Sequence, residues 1–437
     1  MHQGRLHRDA VDEVLQPSDV DAALRSLEAP RAWQRLGADQ YVYLGRAPSM
    51  ALPGGGTLVY DAALDETRLG VIDQMVKLAM QRLGASYGRS PAGPVGVVVT
   101  TVDLNGFDFH GDASQGRMMS LRLPLHSDPS QAAVQIQRVV AHEVTHWWNA
   151  GVFSSDSHQP WLHEGHAEWT ALLIMRSQNI MSREDLLAHL EGALNRCLFV
   201  RGDRPAATLN AGFGPGDDPY ACGLSLMLLA QVQNGLRGQD PSQPSPLNRL
   251  ATLHQYGREL DAAGFAAWAD GAAQEPVRRL LLDPSASFAP GLVERIKALS
   301  LGEGRPIQPG MVLPPALSTP AATQLMRGLM ASDCGGPPGF WTRPDAFKLD
   351  ERMTCQTLRL GQEAMALNGV SLLADPAGAW QVLTERCAGR DSATGRPLTI
   401  QYRQGPGTDM ACPVPLHSMP IKYVISLDKS ALAKLGL

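Results

Sequence analysis

The chain has 437 residues, 44% of them hydrophobic, which is enough to bury more than one core and form two or three domains. Its 38 basic and 43 acidic residues are spread evenly, for a net charge of −5. There is no basic tail, Arg-rich run or basic–aromatic interleaving, so nothing argues for a nucleic-acid partner. No apolar run approaches the roughly 18 residues that cross a bilayer, and no membrane span is expected.

In chain order, residues 1–65 read as an N-terminal lead-in, partly β. Tyr41-Val42-Tyr43-Leu44 and Thr57-Leu58-Val59-Tyr60 are short strand candidates around the turn-forming Pro53-Gly54-Gly55-Gly56. The opening MHQGRLHRDAVDEVLQ lacks the apolar centre of a signal peptide. That start fits a cytoplasmic protein, or a numbering that begins after a removed leader. Glu66 to Leu83 has helical spacing, with Leu69, Ile72, Met75, Val76, Leu78 and Ala79 apolar. Val95 to Thr101 reads as a buried strand and Met118 to Leu123 as an edge strand. Gln131 to Asn149 reads as a helix that starts after Asp128-Pro129-Ser130.

That last helix carries chemistry. In His142-Glu143-Val144-Thr145-His146 the histidines stand at i and i+4, one turn apart on one face, where they can share a zinc ion. Glu143 lies beside them, able to take a proton from an attacking water. After 17 intervening residues comes Trp161-Leu162-His163-Glu164-Gly165, in which Glu164 is a carboxylate placed to open a second helix. A His142/His146/Glu164 set leaves a fourth tetrahedral position open, the catalytic arrangement. One zinc per chain is expected.

HEVTHWW followed by WLHEG resembles the gluzincin metallopeptidases, especially the aminopeptidase family that includes leukotriene A4 hydrolase. The family's spacing is one residue longer, and its WLNEG has Asn where this chain has His163. A further acid that supports the family's zinc site matches Ala171 here, and Glu168 is placed to orient a ligand histidine in its stead. His163 and His166 flank Glu164 but point off its face of the helix; His158 also crowds this loop, and His110 and His126 lie beside the edge strand.

Two further segments extend the resemblance. Asp217-Asp218-Pro219-Tyr220-Ala221-Cys222-Gly223-Leu224 is similar to the family's Pro-Tyr-Glu-Lys-Gly segment, which implies that Tyr220 donates to the oxyanion of the tetrahedral intermediate. The family's Gly-Ala-Met-Glu-Asn, whose Glu grips the substrate's amino group, has its counterpart in the segment from Gly111 to Arg122. There the Glu becomes Ser114, and Asp112 is the nearest acid. The resemblance thus implies hydrolytic machinery without the usual anchor for an N-terminal ammonium.

From Trp161 to about Leu301 the pattern is mostly helical. Expected helices are Trp161–Ser177, Arg183–Leu198 behind a Ser182/Asp185 capping pattern, Tyr220–Asn234, one around Leu247–Ala263 and one around Pro290–Leu299; Gln239–Pro246 reads as a loop. Residues 66–301 are therefore read as the catalytic domain, and 302–330 as a Pro/Gly-containing linker. Residues 331–437 turn towards strands. There, Gly361 to Val370 with its Leu-Asn-Gly resembles the corresponding segment of PDZ domains, followed by a helix at Pro376–Arg386 and a strand at Pro397–Arg403. The resemblance makes Gly339-Phe340 part of a loop that receives a peptide C-terminus. The sister family of glycyl aminopeptidases also carries a PDZ domain after its catalytic domain.

The six cysteines include no Cys-x-x-Cys pair and no metal-finger spacing. Cys197 and Cys222 fall in the catalytic half, near Tyr220. Cys334, Cys355, Cys387 and Cys412 fall in the last quarter. Such close pairs fit a periplasmic or secreted protein, with isolated thiols in a cytoplasmic one as the alternative. The expected fold class is α+β: a thermolysin-like catalytic domain and a small PDZ-like β-rich domain. The expected function is zinc-dependent hydrolysis of peptide or protein substrates, not tied to a free amino terminus. The alternatives are an aminopeptidase with a different amine anchor, and a PDZ-containing binding or scaffolding protein with weak turnover.

Overall fold

The computed structural model describes residues 14–15, 32–36, 41–45, 47–91, 93–102, 109–113, 118–125, 129–149, 160–202, 204, 218–235, 260–270, 276–283, 287–307, 311–334, 339–387, 397–413, 419 and 422–430. Its contacts group the chain into two units. The first holds residues 1–186, 226–274 and 435–437, and the second holds 187–225 and 275–434.

In the first unit, β1 (Val14–Leu15), β2 (Ala32–Leu36) and β3 (Tyr41–Gly45) form an antiparallel sheet in the order β1-β3-β2. A five-stranded sheet follows, built from β4 (Ser49–Ala51), β5 (Thr57–Tyr60), β6 (Gly96–Val102), β7 (His110–Ala113) and β8 (Met118–Pro124). Its order is β4-β5-β6-β8-β7, with β5, β6 and β8 parallel and the two outer strands antiparallel to their neighbours, so the expected edge strand at Met118–Leu123 is an inner one and β7 is the edge. Central β6 reads as an unbroken valine run because Val97, Val98 and Val99 are all buried. The crossover from β5 to β6 is α1 (Glu66–Tyr87). Asp65 caps it by accepting from Arg68 N at 2.8 Å, and Gly88 ends it at φ 64°.

Helix α2 (Pro129–Asn149) packs against α1, against α3 (Pro160–Ser177) and against edge strand β7. It takes in Pro129 and Ser130, which the sequence reading placed before its start; Asp128 lies outside the described residues. Helix α3 begins at Pro160, so Glu164 stands in its second turn and does not open it. Proline is favoured at a first helical position, where its missing N–H costs nothing.

Helix α4 (Arg183–Arg201) begins in the first unit with the expected capping pair: Asp185 N donates to Ser182 Oγ (3.0 Å), and Ser182 N to Asp185 Oδ2 (3.3 Å). It continues into the second unit. There the buried Asn195 pairs with the backbone of Ile425, its Nδ2 2.8 Å from the oxygen and its Oδ1 2.7 Å from the nitrogen. Helix α5 (Pro219–Gly235) starts in the second unit and runs into the first, where α6 (Ala262–Asp270) sets Phe265 edge-on to Trp161 at 5.4 Å. The second unit continues with α7 (Pro276–Leu282) and α8 (Phe288–Ala298).

Segment 302–330 is not a linker without elements. It holds β9 (Gly302–Pro306) and most of α9 (Pro315–Asp333), and β9 pairs antiparallel with β16 (Tyr423–Leu427). Its prolines mask the helical period: Pro315 sits at the helix start and Pro320 in its early turns, while Leu317, Ala321, Leu325 and Leu329 are fully buried.

Beyond it lies a sheet of β10 (Phe340–Thr342), β11 (Phe347–Leu349), β12 (Glu363–Leu367), β13 (Val370–Ser371), β14 (Leu398–Tyr402) and β15 (Thr408–Met410), in the order β10-β11-β12-β14-β15, with β13 paired to β12. Asn368 and Gly369 turn the β12–β13 hairpin with φ 49° and 86°, as an Asn-Gly turn requires. Helix α10 (Pro376–Cys387) seats Trp380 in the same core as α9 and the sheet.

Three disulfides join Cys197 to Cys222, Cys334 to Cys355 and Cys387 to Cys412. That pairing suits an oxidising compartment. Among the described residues no helix is long and apolar enough to cross a membrane. The expected loop Gln239–Pro246, most of the expected helix Leu247–Ala263, Ser114, His126 and His158 lie outside the described residues.

Candidate metal centre

Helix α2 delivers His142 and His146 from one face, and α3 brings Glu164 up to them. His142 Nε2 lies 3.1 Å from His146 Nε2 and 3.1 Å from Glu164 Oε2, and His146 Nε2 lies 3.4 Å from the same carboxylate oxygen. These three donor atoms form a nearly equilateral triangle. A tetrahedral zinc with bonds of about 2.0–2.1 Å separates its ligand atoms by about 3.3 Å, so the triangle has the size of one face of that tetrahedron.

The hydrogen bonds behind the ligands sharpen this fit. His142 Nδ1 donates to Glu168 Oε2 at 3.0 Å, and Arg138 Nη1 reaches the other oxygen of Glu168 at 2.5 Å. His146 Nδ1 donates to Asn149 Oδ1 at 3.1 Å. With both Nδ1 atoms engaged as donors, both Nε2 atoms present lone pairs to one carboxylate oxygen inside a buried pocket. Three acceptors converging there need a cation or a proton between them. Burial opposes charging of His142, but its hydrogen bonds to Glu164 and Glu168 outweigh this and push it up to about 10. Burial likewise opposes ionisation of Glu164, yet its contacts with His142 and His146 hold it well below the usual carboxylate range.

Glu143 is buried on the same helix, and burial pushes its carboxyl above the usual range; His142 and His146 pull the other way. A raised carboxyl takes up a proton more readily than an ordinary one, as a general base must. Gly111 of β7 faces it, and a Cβ there would stand 2.6 Å from Glu143 Oε1. Asp112, on the opposite face of β7, is exposed. Its strand pairs with β8 in the register Asp112↔Ser120.

Among the described residues, His163 and His166 lie outside the group of donor atoms formed by His142, His146 and Glu164. His163 stacks on His146 with ring centroids 4.1 Å apart, and His166 contacts Tyr87 Oη at 3.2 Å and Asn149 at 3.4 Å. Ala171 is buried without a polar group, and Glu168 occupies the supporting position in its place. Asn149, Arg138 and Tyr87 belong to no motif in the sequence, and His166 stands there only as a neighbour of Glu164. Asn149 had a signal, standing three residues after His146 and so beside it on the helix.

Tyr220 lies in the second unit, in the first turn of α5, and is 45% exposed. Asp218 caps that turn by accepting from Ala221 N at 2.9 Å and also pairs with Arg196; the Cys197–Cys222 disulfide ties the same turn to α4. A second group, Asp333 with Cys334 and Cys355, has donor atoms close together, but its sulfurs are joined in a disulfide and Asp333 accepts from Thr357 N and Leu358 N.

No protein-family model matches the chain, and no curated protein matches it. Among solved structures it is similar to an aminopeptidase N family protein from Idiomarina loihiensis, with a TM-score of 0.52 and 13% identity, over 91% of this chain and 72% of that one. It also matches an M1 zinc metallopeptidase from Deinococcus radiodurans, with a TM-score of 0.39 and 18% identity, over 58% of this chain and 60% of that one. The first likeness shows that the chain has the fold of an aminopeptidase N family protein.

Proposed function

We propose that the protein is a zinc-dependent peptidase that binds one zinc per chain through His142, His146 and Glu164. The observation that carries this reading is the 3.1–3.4 Å triangle of donor atoms, each histidine held by a hydrogen bond at its far nitrogen. When bound, zinc supplies a Lewis acid that polarises a carbonyl and acidifies water. Glu143 removes the proton of the attacking water and delivers it to the leaving amine. Tyr220 donates to the oxyanion, a role assigned by its match to the family segment. Glu168 and Arg138 hold the His142 ring.

The substrate is a peptide or protein, and the enzyme does not depend on a free amino terminus. An ammonium in a partly dry cleft needs a carboxylate, and the segment that supplies one in the aminopeptidases has Ser114 here. The second reading is an aminopeptidase anchored by Asp112, which is exposed on β7. We assign residues 331–437 a PDZ-like role in receiving a peptide C-terminus, with the Asn-Gly hairpin and α10 in the expected order. A scaffold with weak turnover is disfavoured by the intact ligand set. The three disulfides favour a periplasmic or secreted location.

The test is a peptide-library digest with wild-type protein and Glu143→Gln, using matched peptides with free and acetylated amino termini. We expect cleavage of both peptide forms, lost in Glu143→Gln while zinc is kept, because an amide accepts no proton. No cleavage by zinc-loaded wild type would refute the peptidase reading. Cleavage of free peptides alone, abolished by Asp112→Asn, would make the protein an aminopeptidase.

A further inference from the structure

Asn149 is fully buried, and both ends of its side-chain amide are engaged. Its Nδ2 lies 3.0 Å from the backbone oxygen of His163. A carbonyl oxygen only accepts, so the group facing it is the NH2 and the orientation of the amide is settled. The other N–H of that group points at His166 Nδ1, 3.4 Å away. His166 then carries its proton on Nε2, 3.2 Å from the buried Tyr87 Oη. The amide oxygen is left facing His146 Nδ1 at 3.1 Å, where it only accepts. His146 is therefore protonated at Nδ1 and bare at Nε2. One side chain thus holds the ring of one ligand on α2 and the backbone beside another ligand, Glu164, on α3.

We propose that Asn149 is the positioning residue of the metal centre, fixing the tautomer of His146 and the placement of Glu164 together. The proposal rests on the zinc-site reading above. Without the amide oxygen, the buried His146 ring has no acceptor at Nδ1, and a proton moved to Nε2 would occupy the lone pair that binds metal. Without the amide N–H, the α3 backbone at His163 loses its tie to the end of α2. Tyr87 and His166 complete the chain of donors and acceptors, so that the amide does not rotate. Glu168 and Arg138 serve His142 by charge; Asn149 serves His146 with no charge, and it alone of these spans both ligand helices through a backbone contact.

The experiment compares full-length wild type with Asn149→Leu, Asn149→Ser and Asn149→Asp. Zinc affinity is read by chelator competition, and site geometry by the visible spectrum of the cobalt(II)-substituted protein. Asn149→Leu is expected to weaken zinc binding about 10–100-fold and to alter the cobalt spectrum even at full loading. Asn149→Ser, the smaller truncation, is expected to behave alike. Asn149→Asp keeps an acceptor for His146 but loses the N–H that meets the His163 carbonyl, and is expected to recover part of the affinity with the cobalt spectrum still altered. Truncations with wild-type affinity and spectrum, or an Asn149→Asp as weak as they are, overturn the proposal and leave the zinc site standing. A wild-type protein that takes up no zinc overturns the site reading and the proposal with it.

Discussion

A Cβ on Gly111 would stand 2.6 Å from both Cγ and Oε1 of Glu143, so the backbone of edge strand β7 lies directly against the proposed general base. Real Cβ atoms essentially never sit so close, and Gly111→Ala must therefore shift the Glu143 side chain or the strand against it. We expect kcat to fall about 10²-fold, as a displacement near 1 Å can cost, with zinc content unchanged. Steady-state kinetics on the zinc-loaded variant checks this; an unaltered kcat would show that Glu143 needs no such fixed position.

The depth of the site also sets how the protein meets acid. Burial, aided by His146 and His142 nearby, pushes both His163 and His166 down to about 3. An unfolded histidine titrates near 6.5, so between these values the unfolded chain binds more protons. The stability that the neutral rings contribute is present above about pH 6.5 and is lost as pH falls towards 3. Replacing His163 by Asn, the residue of the resembling family, removes one such titration. We expect the acid limb of stability to become shallower by up to about 1.4 kcal/mol per pH unit. Denaturant unfolding at a series of pH values measures it, and equal slopes for the two proteins would count against a buried neutral His163.

Much of this site was readable from residue order alone, and the reason is local geometry. His142 and His146 fall on one face because four residues make one helical turn, and Glu164 arrives within the following short segment. The supporting contacts were legible only where they obey the same local rule. Glu168 lies one turn beyond Glu164 and was noticed. Asn149 lies one turn beyond His146, but an amide carries less apparent chemistry than an acid. Tyr87 and Arg138 could not be found that way. Tyr87 meets His166 across 79 residues, and Arg138 meets Glu168 across 30, both through packing of α1, α2 and α3. The helix in segment 302–330 was hidden for another reason. Pro315 and Pro320 read as breakers, yet Pro315 falls at the first position of α9, where a missing N–H costs nothing, and Pro320 lies inside a helix held by the buried Leu317, Ala321, Leu325 and Leu329.

For Tyr220 the expected outcome is kinetic. Tyr220→Phe removes a donor that acts on charge developed in the transition state, and should lower kcat by roughly two to three orders of magnitude with a smaller change in KM. The Cys197–Cys222 disulfide and the Asp218 cap hold the same helical turn through groups the substitution leaves intact, so the fold should be unaffected. A variant with wild-type kcat would remove Tyr220 from the mechanism.

The central claim is that His142, His146 and Glu164 hold a single zinc. Elemental analysis of the purified wild-type protein beside a His146→Ala, Glu164→Ala double variant tests it most directly. One zinc per chain is expected in the wild type and none in the double variant, since one histidine cannot retain the ion. Absence of stoichiometric zinc in the wild type, or its full retention in the double variant, would contradict it.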